Sequence, residues 1–210
     1  MPKLFIIASL LLLTMECGFS QGSVVYHNTS QRDKYVFMPD PSAPALARLG
    51  GSLSDYQGFQ KVEGPGYYAE LWWAPGEGQP EASLGPVPGS LVTFRIGPTA
   101  GLINGKARLE IPGTFGGDRV TLQLRVWENF GQTVNTWEEA MDAGCIHGKS
   151  NLLGYELAGV DPAGNDRLGS GNMSYALQYF SLVIPEPSSV SLLWLGLGAW
   201  SVSCRRRGSE

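Results

Sequence analysis

The 210-residue chain has a formal net charge of −4 and contains 28 glycines, 14 prolines and 3 cysteines. A mildly acidic chain with no basic stripe excludes nucleic-acid binding of the electrostatic kind. Glycine at about twice its usual ~7% share predicts frequent turns and excludes a long-helix architecture.

Residues Met1–Gln21 read as a secretory signal. Lys3 supplies the positive start, Leu4–Met15 the apolar stretch, and Gly18-Phe19-Ser20 the small-residue exit, with cleavage after Ser20 or Gly22. Cys17 invites a lipoprotein reading, but Glu16 is a poor neighbour for a lipidated cysteine. With a leader over 1–22 and a distinct tail over 185–210, residues 23–184 form one domain, long enough to bury about 70% of its unfolded surface. That stretch holds 11 basic and 16 acidic residues, a charge of about −5. Cys17 departs with the leader and Cys204 lies in the tail, so Cys145 is the sole cysteine of the exported domain and an internal disulfide is excluded. Metal recruitment or pairing between chains stays open for it.

In chain order, short alternating runs predict strands at Val24–His27, Tyr35–Met38, Tyr67–Trp73, Leu91–Ile96, Ala107–Ile111, Arg119–Trp127, Leu152–Leu157 and Tyr175–Ile184. In the clearest, Val120, Leu122, Leu124 and Val126 share one face while Arg119, Thr121, Gln123 and Arg125 share the other. This is the pattern of a half-buried strand. Turn clusters such as Gly64-Pro65-Gly66, Ala74-Pro75-Gly76 and Gly113–Asp118 separate the runs. The expected fold is all-β, a single antiparallel β-sandwich of jelly-roll-like kind. Val134–Ala143 alone looks helical, with Thr136 as N-cap and Glu139 as its capping-box partner.

Three constellations bear on chemistry. Asp142, Cys145 and His147 gather a carboxylate, a thiol and an imidazole. Zinc needs three or four ligands, however, and the only other histidine is His27, so a loop cysteine packed as a small hydrophobe is the stronger reading. The carboxylate pairs Glu138 with Glu139, Glu77 with Glu81, and Asp161 with Asp166 would serve glycoside hydrolysis only if two acids faced each other across a cleft. All sit in polar or Gly/Pro-rich surroundings that suit a solvated surface. The Asp161–Asp166 loop lacks the ligand alternation of an EF-hand, while a looser calcium site of loop oxygens stays open. Tyr68, Glu70 and Trp72 share one face of the Tyr67–Trp73 strand. Two rings flanking a carboxylate suit sugar stacking if that face is exposed, and simple core packing if it is covered. Asn28-Thr29-Ser30 and Asn172-Met173-Ser174 match the glycosylation pattern by chance.

The tail is the most specific feature. Pro185-Glu186-Pro187 precedes 17 uncharged residues, Ser188–Cys204, and then Arg205, Arg206 and Arg207. As a helix the uncharged run spans roughly 25 Å, nearly a hydrocarbon core of about 30 Å. Its serines and glycines make it weakly lipophilic. Each arginine would cost about 2.5–3.5 kcal/mol at mid-bilayer, so the domain lies outside and the arginines inside. Pro185 and Pro187 favour an extended neck.

This order resembles the PEP-CTERM sorting signal of Gram-negative bacteria. The resemblance implies recognition by an exosortase-type membrane processing enzyme, transient residence in the inner membrane, loss of the tail, and delivery to the cell surface or extracellular matrix. Gln21-Gly22-Ser23-Val24-Val25-Tyr26, Gly66–Pro75, Val120–Trp127 and the tail together resemble a group of PEP-CTERM proteins of unassigned activity, from which the bulky Trp72-Trp73 departs. The resulting expectation is an exported structural or interaction protein without catalytic residues, cofactor or metal. The alternative is an extracellular polysaccharide-binding module using Tyr68, Glu70 and Trp72, with a surface hydrolase behind it.

Overall fold

Glycine and proline cut the chain into short extended pieces, and the computed structural model, which describes residues 21–29 and 33–186, is all-β with little helix. The strands are β1 (Gln21–Tyr26), β2 (Val36–Phe37), β3 (Tyr67–Pro75), β4 (Gly85–Pro86), β5 (Val92–Thr93), β6 (Lys106–Phe115), β7 (Arg119–Glu128), β8 (His147–Lys149), β9 (Leu153–Glu156), β10 (Gly159–Val160), β11 (Asp166–Arg167) and β12 (Phe180–Ser181). Among the described residues one α-helix, α1 (Trp137–Asp142), lies between β7 and β8. Among the described residues no helix is long and apolar enough to cross a membrane. Residues 1–20 of the leader expected over 1–22, Pro187, the run Ser188–Cys204, and Arg205, Arg206 and Arg207 lie outside the described residues.

The main sheet is built on β3 and β7, which pair antiparallel along their whole length, from Tyr67 opposite Glu128 to Pro75 opposite Val120. β4 and β5 flank β3; β8 and β9 flank β7. Period-two alternation sends Ala69, Leu71, Leu122, Leu124 and Val126 to one face, where they meet Val24, Tyr26, Leu109 and Ile111 of the antiparallel pair β1–β6. The buried Tyr26 hydroxyl ties the two together by donating to the Ala69 carbonyl at 3.3 Å. A second aromatic packing point lies by β2, where Phe37 stacks on Tyr56 with centroids 4.5 Å apart.

Three expectations need correction. The strands are not uniformly antiparallel: β12 pairs parallel with β2. These segments come from opposite ends of the domain with no hairpin between them, so no tight turn forces them to oppose. The predicted Tyr175–Ile184 strand shrinks to Phe180–Ser181, and its first residue instead closes a 3-10 turn over Met173–Tyr175 that Asn172 caps by accepting from the Ser174 N–H at 2.9 Å. Finally, β7 is not half-buried. Every residue from Val120 to Trp127 is buried, so its polar face is covered too.

The predicted helix forms, shorter than expected, where its capping box does. The Glu139 N–H donates to Thr136 Oγ1 at 3.2 Å, and Glu139 Oε2 accepts from the Thr136 N–H at 3.2 Å. At the other end of the domain β1 already begins at Gln21. Gly22 is buried, and a Cβ there would lie 2.6–2.7 Å from Phe115 O, Leu157 Cδ1 and Thr114 Oγ1.

Candidate functional site

The covered face of the main sheet carries the polar and aromatic side chains of β3 and β7 in opposed pairs: Tyr68 with Trp127, Glu70 with Arg125, Trp72 with Gln123, and Ala74 with Thr121. The centre is Arg125, whose side chain is only 7% exposed. Its guanidinium lies 3.7 Å from the Trp72 ring centroid and 5.1 Å from that of Trp137, the first residue of α1. Both are within cation–π range. Arg125 Nε donates to Gln123 Oε1 at 3.1 Å, and its terminal nitrogen reaches Glu81 Oε1 at 3.6 Å. Glu81 in turn accepts from Lys149 Nζ at 2.8 and 2.9 Å.

Burial works against every charge here, and it prevails at Arg125 and Glu70 but not at Glu81. Desolvation draws the Arg125 pKa below its ordinary value, opposed by Glu81, Glu138 and Glu70. Glu70 is raised, first by burial and then by Glu138, against a hydrogen bond from Trp72 and the charge of Arg125. Burial also pushes Glu81 upward, but the hydrogen bond and charge of Lys149, with Gln123 and Arg125, outweigh it and leave the carboxyl lowered.

This arrangement places the three residues singled out for sugar stacking. Trp72 is 6% exposed, its indole N–H donates to Glu70 Oε2 at 2.9 Å, and its ring face is taken by Arg125. Tyr68 meets Trp127 edge-on at 6.0 Å and, like Trp137 and Met141, packs against the buried cluster of Trp127, Val134, Ala140 and Cys145. The face is therefore covered by α1 and by the loop carrying Glu81, not presented as an open aromatic strip. Beside it opens a groove of about 540 Å3, lined by Arg48, Glu81, Gln123, Trp137, His147 and Lys149, with Leu49, Leu152 and Val183 among its apolar residues. An indole, an imidazole, an ammonium and a carboxylate along one groove offer a stacking edge together with donors and acceptors. Arg125, Trp137 and Lys149 were not singled out from the sequence as site residues, and Glu81 only as the partner of Glu77 in a carboxylate pair. The one local hint was a tryptophan at the first position of a capped helix following directly on β7.

The other constellations resolve into structural roles. Cys145 is fully buried among Trp127, Val134 and Ala140, and desolvation, then Glu128, raises its thiol pKa. His147 Nδ1 hydrogen-bonds the Cys145 carbonyl at 2.8 Å, not the thiol. Glu77 pairs with Arg119, and Glu139 caps α1. Asp161 turns its carboxylate onto its own loop: Oδ1 accepts from the Asn165 and Ala163 N–H groups at 2.8 and 3.0 Å, and Oδ2 from Arg167 Nε at 3.0 Å. Its oxygens are thus committed to protein donors. No cluster of three or more metal-ligating side chains occurs among the described residues. Both glycosylation-like asparagines are structural. Asn28 is fully buried, with Nδ2 donating to the Lys34 and Gly101 carbonyls, while Asn172 donates to the Thr29 carbonyl and caps the 3-10 turn.

The segment that leads into Pro185 is clamped to the rest of the domain. The Ser181 N–H donates to Arg48 O at 3.0 Å, Leu182 to Phe37 O at 2.8 Å, and Val183 exchanges two bonds with His147 at 2.7 and 3.1 Å. The Ile184 N–H donates to Pro44 O at 2.8 Å. Pro185 and the exposed Glu186 follow at once, against Ala43, Pro44, Ala45 and Leu46.

No family model matches the chain, and neither a curated protein nor a solved structure matches it.

Arg125→Ala is expected to cost about 3 kcal/mol. That is the low end for a broken buried pair, because Glu81 keeps Lys149 and is itself partly exposed. Arg125→Met, which keeps a flexible stem between the two indoles, is expected to recover most of that loss; urea unfolding midpoints compare the two. Asp161 is held at about 2 against an ordinary 3.8, chiefly by the Asn165 backbone and side chain, with Arg167 and Ala163. Since the folded value lies below the unfolded one, this stabilisation is full above roughly pH 4 and is lost as the pH falls through about 2. Asp161→Asn is therefore expected to lower the melting temperature at neutral pH and to show a smaller further drop on acidification than the parent chain.

Proposed function

We propose that the chain is an exported cell-surface or extracellular-matrix protein with a structural or interaction role and no catalysis. In this reading a signal peptide, expected over 1–22 and cleaved after Ser20 so that β1 keeps Gln21 and Gly22, directs export, and the domain expected over 23–184 is a single β-sandwich of jelly-roll-like kind. Residues 185–210 then act as a PEP-CTERM sorting signal with one transmembrane helix. Pro185, Glu186 and Pro187 serve recognition by an exosortase-type enzyme, and Arg205, Arg206 and Arg207 set topology. The observation that carries the reading is the order of Pro-Glu-Pro, uncharged run and arginine cluster. It is supported by where that order begins, at the residue after the last backbone clamp, Ile184 to Pro44. A processing enzyme would thus meet the motif at the boundary of the folded domain.

Replacing Pro185-Glu186-Pro187 by alanines is expected to leave an uncut, membrane-held precursor, read by intact mass spectrometry of the cell fractions. Normal loss of the tail in that variant would remove the sorting role.

A second reading, contact with extracellular polysaccharide, is favoured by the groove beside Trp137. With Trp72 and Glu70 turned inward, the contact would centre on Trp137, His147 and Lys149 rather than on Tyr68, Glu70 and Trp72. Trp137→Ala should then weaken retention of the chain on immobilised matrix polysaccharide at least several-fold. Unchanged retention would leave the structural role alone.

A further inference from the structure

The clamp on the neck leaves almost no slack between the domain and the expected span. Ile184 is fixed by its bond to Pro44, and only Pro185, Glu186 and Pro187 separate it from Ser188, where the uncharged run begins. Four residue steps of fully extended chain reach roughly 14 Å at most. The headgroup zone outside the hydrocarbon core takes up about 6 Å of that on each side. With Ser188 at the edge of the hydrocarbon, Ile184 therefore stands no more than about 8 Å above the headgroups.

The surface around that exit point is apolar. Ala43, Pro44, Ala45, Leu46, Ile184 and Pro185 line a groove of about 560 Å3, in which Glu186 is the one charged residue. Leu46 is 63% exposed and Ile184 45% exposed. Large side chains held in water at this spot cost free energy that the boundary between headgroups and acyl chains would relieve. The absence of lysine or arginine from the groove lining means that zwitterionic lipid suffices.

We propose that this patch docks onto the lipid surface in which the tail is inserted. The precursor is then held to the membrane by a face of its folded domain as well as by its tether. The proposal rests on the export-and-sorting reading. It adds to that reading a docked orientation, with the 43–46 loop against the lipid.

The test uses the full chain inserted into phosphatidylcholine vesicles, with a benzophenone amino acid in place of Leu46. A control carries the same group in place of Leu168, which is 91% exposed and lies just after β11, outside the patch. After irradiation, mass spectrometry is expected to find lipid adducts several-fold more abundant at position 46 than at position 168. Equal yields overturn the proposal, as do adducts at position 46 that join two copies of the chain or link to the chain's own tail. Vesicle flotation reads insertion separately. A chain that fails to float sinks both the tail reading and the docking, whereas one that floats without lipid adducts at position 46 sinks the docking alone.

Discussion

A guanidinium taken out of water needs partners for its donors and a counter-charge for its cation, and the way Arg125 obtains them organises one whole side of the main sheet. The planar group is stacked on Trp72 and faced by Trp137, which sets where α1 lies across β3 and β7. Its charge faces Glu81, which brings in the loop between β3 and β4 and, through that carboxylate, Lys149 at the end of β8. Gln123 completes the set by accepting from Arg125 Nε while donating to the Ser150 carbonyl at 3.2 Å. Cover, loop and edge strand are therefore positioned by one buried cation. The groove beside Trp137 is the space left at their junction.

The same edge strand connects this cluster to the neck. His147 of β8 pairs with Trp127 of β7 on one side and with Val183 on the other. The closing segment thus covers what would otherwise be an open sheet edge, a site prone to pairing with other chains. Its opposite side is bonded to Phe37, Pro44 and Arg48. A segment bonded on both sides cannot trail as a flexible linker, so the domain boundary and the start of the Pro-Glu-Pro neck coincide.

Several features were legible because they depend on neighbours in the chain. β3 and β7 announced themselves by alternation, and α1 by Thr136 and Glu139 at capping-box spacing. The pieces that escaped, β4, β8, β10 and β11, are two or three residues long and carry no period to read. Alternation also separated the two faces of β7 correctly, yet it assigned the polar face to solvent. Arg125 and Gln123 have the composition of a wetted surface and become buried only because Trp137, beyond the end of that strand, and Glu81, in the loop after its partner β3, close over them. For the same reason the strand viewed alone left Tyr68, Glu70 and Trp72 readable either as an open strip or as a covered face.

What the sequence determined by itself is local: which residues share a strand face, where a helix is capped, and the order of Pro-Glu-Pro, uncharged run and arginine cluster. These follow from backbone geometry, hydrogen bonding over three or four residues, and hydrophobicity summed along a segment. Only the tertiary structure decided what lies against each face, which carboxylate meets which cation, and that the chain is hydrogen-bonded into the domain as far as Ile184. Such contacts join residues up to more than a hundred positions apart. Their energies depend on burial and mutual geometry, which no short window of sequence contains.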